Sequence, residues 1–179
     1  MTRIIEAKWL GPFSWPSYED QSGLPSLPDL TGLYLQTFEY KDGYLVYAAG
    51  LTRRKVITRF KEHTRNYKRG EYTVFDMDEI NRGVRKEFYQ GWTYARDNPE
   101  IFENDKDNIL SAVDKQLASF RVFVAEISSE PRVLERLESG IMEQLYREPP
   151  PICDIPDKGM FLAAKKAGEE EITIKNIFP

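Results

Sequence analysis

Apolar positions along the chain alternate in short runs, then recur at helical spacing, and each change of period marks an element. Residues 31–38 (TGLYLQTF) form a short apolar and aromatic run with strand character. Lys41-Asp42-Gly43 supplies a turn, because an Asp-Gly pair tolerates positive φ. Residues 44–49 (YLVYAA) return as a second strand, so a hairpin is predicted, ended by Gly50. Residues 54–67 read as a helix: Val56, Ile57, Phe60 and His63 recur near helical spacing and basic residues fill the other face. Residues 72–75 suit a short strand. Ile80, Val84, Phe88 and Trp92 stand four apart and predict a helix over 78–95, broken by Asn98-Pro99. A further helix over 105–120 places Ile109, Leu110, Val113 and Leu117 on one face. Residues 120–127 (FRVFVAEI) alternate and are β-branched, which predicts a strand. Pro131 suits the first turn of a last helix over 131–146, with Val133, Leu134, Leu137, Ile141 and Leu145 inward. Pro149-Pro150-Pro151 stops it.

The first thirty residues are punctuated by Gly11-Pro12, Trp15-Pro16, Leu24-Pro25 and Leu27-Pro28. With Trp9, Phe13, Trp15 and Tyr18 among them, residues 1–30 are expected to be an irregular arm held by its aromatics. Residues 31–148 form the main domain, and 149–179 a C-terminal extension packed on it. Within that extension, Ile172-Thr173-Ile174 is expected either to add a strand or to cover the core.

Composition narrows the class. A chain of 179 residues, 41% hydrophobic and 30% charged, suits one globular domain with a core of its own. A single cysteine, Cys153, excludes an internal disulfide and a cysteine zinc cluster, and suits a reducing cytoplasm. The N-terminus lacks the apolar run of a signal peptide. No stretch approaches the roughly 20 apolar residues of a membrane span. The net charge of −4 argues against indiscriminate coating of nucleic acid. Its distribution changes the picture. Arg53, Arg54, Lys55, Arg59, Lys61, Arg65, Lys68 and Arg69 follow one another with a single acid, Glu62, among them. Such a segment repels itself unless a polyanion is met, which favours a binding face over the alternative of a solvated helix face.

One cluster carries candidate chemistry. Tyr34 and Tyr47 stand on the two strands of the hairpin, and Arg59 and His63 lie one turn apart on the following helix. An arginine fork can clamp phosphate oxygens, while a histidine or phenol can manage the proton of an attacking water. The same tyrosines could equally be strand aromatics packing a core.

These residues, in this order, resemble the GIY-YIG nuclease family. Gly32-Leu33-Tyr34 is similar to the first motif, Val46-Tyr47-Ala48-Ala49-Gly50 to a variant of the second, and Arg59 and His63 to the family's Arg-x-x-x-His helix. Leu137-Glu138-Ser139-Gly140-Ile141-Met142 resembles the helix that delivers a metal-binding glutamate. The resemblance implies an α/β (α+β) fold, a central three-stranded antiparallel sheet flanked by helices, with residues 67–118 as a helical insertion. It implies a divalent-metal-dependent endonuclease hydrolysing nucleic-acid phosphodiesters, DNA in preference to RNA. In that reading Tyr34 orients or deprotonates water, Tyr47 shapes the site, His63 assists proton transfer and Arg59 stabilises phosphate charge. Glu138 binds one Mg²⁺ or Mn²⁺, and Arg53, Arg54, Lys55, Lys61, Arg65, Lys68 and Arg69 contact the nucleic-acid backbone. The second motif is one residue longer than Tyr-x-Gly, so either the strand bulges and keeps Tyr47, or Ala48 takes the tyrosine's place. The family's late asparagine is absent from residues 148–154, with Asn176 as the one later candidate. The alternative is a catalytically inactive module of the same fold that binds nucleic acid or protein.

Overall fold

The computed structural model describes residues 1–179. In chain order the elements are β1 (Thr2–Lys8), β2 (Leu10–Phe13), α1 (Glu19–Ser22), β3 (Gly32–Tyr40), β4 (Gly43–Thr52) and α2 (Val56–Lys68). There follow β5 (Val74–Phe75), α3 (Met77–Ile80), β6 (Glu87–Tyr89), α4 (Trp92–Asp97), α5 (Pro99–Asn104), α6 (Lys106–Ser119), β7 (Phe120–Glu126), α7 (Pro131–Arg147) and β8 (Glu171–Ile177). No helix is long and apolar enough to cross a membrane.

The central sheet is mixed with helices as expected, but it has four antiparallel strands, in the order β2-β7-β3-β4, where three were expected. The fourth strand comes from the segment read as an irregular arm. Gly11-Pro12 interrupts the register of β2 rather than preventing the strand, because β2 is an edge strand and an edge tolerates a missing N–H. β1 also departs from the arm reading: it pairs in parallel with β8, which settles residues 172–174 as a strand.

Both faces of the sheet are covered, so β3 is buried along nearly its whole length. On one face Tyr34 and Phe38 of β3 and Phe120, Val122 and Val124 of β7 meet α2 and α6. On the other, Leu33, Leu35, Phe123 and Ala125 meet the inward stripe of α7, which includes Leu137, Ile141 and Met142. Trp15, fully buried, locks α2 to the first face. Its ring lies 4.6 Å from Phe60 and 5.0 Å from Phe120, and its Nε1 donates to Thr64 Oγ1 at 2.8 Å. The aromatics of the first thirty residues are therefore packing groups, as read, on a segment that is more regular than read.

The predicted helix over 78–95 is not formed. Asp76 caps α3 by accepting from the N–H groups of Asp78 and Glu79, but the helix ends within a turn. Gly83 then adopts φ +78, a left-handed conformation suited to terminating a helix. Val84, Phe88 and Trp92, whose spacing suggested a buried face, are about half exposed. β5 and β6 pair as a small ribbon before α4 begins. Residues 67–118 thus hold three short helices, α3, α4 and α5, and a ribbon where one long helix was expected, whereas α6 forms where the helix over 105–120 was predicted.

Candidate functional site

The site lies at the β4 edge of the sheet, where side chains from both covered faces meet. Tyr34, Tyr47, Arg59, His63 and Glu138 all line one cleft of about 160 Å³. Tyr34 and Tyr47 come from the hairpin, and Arg59 and His63 from the cleft-facing side of α2. Glu138 reaches the cleft from α7, which packs on the opposite face of the sheet.

The extra residue of the second motif is a β-bulge. Gln36 pairs with Ala48 and Thr37 pairs with Val46, which leaves Tyr47 without a partner on β3. Leu45 and Tyr47 pack with the α2 face, whereas Val46 and Ala49 pack with the α7 face. Ala48 joins Tyr47 on the α2 face, so the alternation slips by one at the bulge and both residues keep the side the cleft needs. The C-terminal extension is fastened at the same point: the Asp157 N–H donates to the Tyr47 carbonyl at 2.9 Å, and Arg85 holds the Ile155 carbonyl at 2.7 Å.

A chain of polar contacts runs through the cleft. The Tyr34 hydroxyl and His63 Nε2 are 3.0 Å apart, and His63 Nδ1 is 3.3 Å from the Tyr72 hydroxyl, which also accepts from Asn66 Nδ2 at 2.9 Å. The Tyr34 ring packs edge-on against Phe60, with centroids 5.0 Å apart. Its other side requires Gly50, since a Cβ there would overlap the phenol.

Burial governs the protonation of these groups. It pushes the Tyr34 phenol up to about 12, with the Arg59 guanidinium pulling the other way. It lowers His63 to about 3, and the Arg59 charge adds to the fall, so the imidazole is neutral at physiological pH. It raises Glu138 to about 7, opposed by the Leu51 backbone and by Arg59. The Tyr47 phenol is also pushed up by burial, with Asp157 adding to the rise.

The basic residues divide. Arg53 and Arg54 line an open trough of about 380 Å³ that continues from the cleft and shares Tyr34, Arg59 and Glu138 with it. Arg53 pairs with Glu135 at 3.0 Å, and Arg54 and Arg59 both reach Glu62. Lys55 donates to the Asp29 carbonyl. Lys61, Arg65 and Lys68 are exposed and line neither the cleft nor the trough. Asn176 is bound to Trp9 Nε1 at 2.9 Å on the β1–β8 ribbon, which removes it from the site.

Sequence reasoning missed Gln36, Tyr72, Trp92 and Asp157, all of which line the cleft. None carries a local signal, because each is brought in by tertiary packing. No group of three or more His, Cys, Asp or Glu side chains gathers anywhere in the chain. Asp157 also lines the cleft, but Glu138 is the one carboxylate common to cleft and trough. Such a donor suits a hard, hydrated divalent ion that takes most of its ligands from water and substrate, and does not suit zinc. No protein family, curated protein or solved structure matches this chain.

Proposed function

We propose that this protein is a GIY-YIG-type, divalent-metal-dependent endonuclease acting on nucleic acid, DNA in preference to RNA. The observation that carries the reading is the meeting of Tyr34, Arg59, His63 and Glu138 on one cleft, although they come from a strand and from helices on opposite faces of the sheet. Packing alone does not require an arginine, a histidine and a carboxylate at one edge.

Arg59 lies where the cleft opens into the trough and would grip a phosphate oxygen, stabilising negative charge as the ester is attacked. Asn66 donates to the Tyr72 oxygen, and in this reading the Tyr72 O–H donates to His63 Nδ1. The neutral imidazole would then carry its proton on Nε2 and donate it to the Tyr34 oxygen. That orientation would turn the Tyr34 O–H toward the cleft, where it can orient a water. Glu138 would hold one Mg²⁺ or Mn²⁺, which when bound neutralises phosphate charge and acidifies water. A single carboxylate makes that ion weakly held until substrate supplies further oxygens.

The test is nicking of supercoiled plasmid with Mg²⁺ or Mn²⁺. Nicking by the native chain and its loss in a folded Glu138→Ala variant would support the reading; no nicking under any divalent ion would end it. That thin hold on a metal favours a second reading, in which the cleft holds nucleic acid without cutting. Binding at low salt that Glu138→Ala leaves unchanged, with no cleavage, would select that one.

A further inference from the structure

Beside the cleft, on the side away from the trough, the insertion forms a larger hollow of about 530 Å³. Tyr72 and Trp92 belong to both hollow and cleft. Hollow and cleft thus adjoin across Tyr72 and Trp92, and cleft and trough adjoin across Tyr34, Arg59 and Glu138. The three parts differ in chemistry. The trough is cationic, with Arg53, Arg54 and Arg59 against Glu138. The hollow balances Arg69 and Arg96 against Glu71 and Glu103, and its walls are aromatic. A balanced, aromatic cavity is a poor phosphate site and a good site for the face of a heterocycle.

Trp92 is the main wall. As a residue it is 51% exposed, whereas Trp9 and Trp15 are buried. Its backbone sits at φ +57, a left-handed conformation that bulky side chains rarely adopt. The indole lies 4.6 Å from Tyr72, tilted by 31°. Tyr72 in turn touches His63 through its hydroxyl. The hollow is thus tied to the cleft by one side chain, and a ring bound against Trp92 would sit a fixed distance from the phosphate at Arg59.

We propose that this hollow is a subsite for one unpaired base of a single-stranded segment adjoining the scissile phosphate. The inference rests on the nuclease reading for the word scissile, and it narrows the substrate from duplex to strands with an unpaired nucleotide. A paired base cannot enter, because its face is covered by its neighbours in the stack. Glu71 and Glu103 add acceptors for exocyclic amino groups at the rim.

The experiment measures binding and cutting separately. Without divalent ions, a labelled 12-nucleotide single strand and the blunt duplex of the same sequence are titrated with the native protein, Trp92→Ala and Phe88→Ala. Phe88 is an equally exposed aromatic outside the hollow. The expected result is tighter binding of the single strand, quenching of Trp92 fluorescence, and about tenfold weaker single-strand binding in Trp92→Ala, the size of one lost stacking contact. Duplex binding should be the same in all three proteins. Single-strand binding unaltered by Trp92→Ala, or equal Trp92 dependence for duplex, would overturn the subsite. Cleavage of a flapped substrate with Mn²⁺ is then scored. Trp92-dependent binding without cleavage leaves the subsite standing and removes the nuclease; cleavage without Trp92 dependence does the reverse.

Discussion

The Tyr34 hydroxyl meets Nε2 of His63 at 3.0 Å, although 29 positions separate the two residues along the chain. Because burial keeps the imidazole neutral, this contact joins two uncharged groups and sets which way the phenol's own proton points. Replacing Tyr34 by Phe removes that proton without changing the ring's packing on Phe60. If Tyr34 orients the attacking water, Tyr34→Phe should lower the cleavage rate by about 10² to 10⁴. Single-turnover rates with saturating enzyme would check it, with urea midpoints confirming an intact fold.

Gly50 makes room for the same ring. Gly50→Ala forces the phenol aside or the strand away from β3, since the added methyl occupies the ring's place. A loss of about 1 to 3 kcal/mol is expected from overpacking of this kind. Urea unfolding would measure it. Cleavage should fall at least as far as in Tyr34→Phe, because the hydroxyl is displaced rather than merely deleted.

The buried imidazole makes stability depend on pH. In the unfolded chain His63 takes a proton near its ordinary value of 6.5, whereas in the folded chain it does so only near 3. The folded value is depressed, so the contribution is fully present above about pH 6.5 and is lost progressively as pH falls toward 3. The slope is on the order of 1 kcal/mol per pH unit in that window. Denaturant unfolding of native and His63→Gln protein between pH 4 and 8 would check it. Their stabilities should converge as the medium is acidified, since only the native chain carries this penalty.

Arg59 answers to both Glu62 and the Tyr34 phenol. Arg59→Lys keeps a charge but loses the planar fork, and is expected to cost about 10² to 10³ in cleavage rate. Binding of the uncut strand should change much less, because Arg53 and Arg54 remain in the trough. Comparison of cleavage rate with binding measured without metal separates the two effects.

Most of the central framework was readable from period alone. α2, β7 and α7 each keep one apolar rhythm from end to end, the hairpin keeps its own on either side of the bulge, and the structure reproduces them within a few residues. The misreadings have physical causes. Ile80, Val84, Phe88 and Trp92 carry a helical spacing, but Gly83 turns the chain before the pattern can act. Proline-rich residues 10–13 concealed a strand because an edge position lets one hydrogen bond lapse. In the site, the Arg59–His63 pair was visible because one helix carries both. Tyr72, Trp92 and Asp157 were invisible because their neighbours in the cleft are far away in sequence. The bulge at Tyr47 lies between these cases: the surplus residue was evident, and pairing with β3 decided how it is absorbed.

The delivery of Glu138 by a helix from the far side of the sheet has an effect on timing. During synthesis, the hairpin and α2 emerge while the last helix is still to be translated. A nascent chain at that stage has Tyr34, Arg59 and His63 without the acid that completes the cleft. The cleft is therefore complete only once both layers have docked on the sheet.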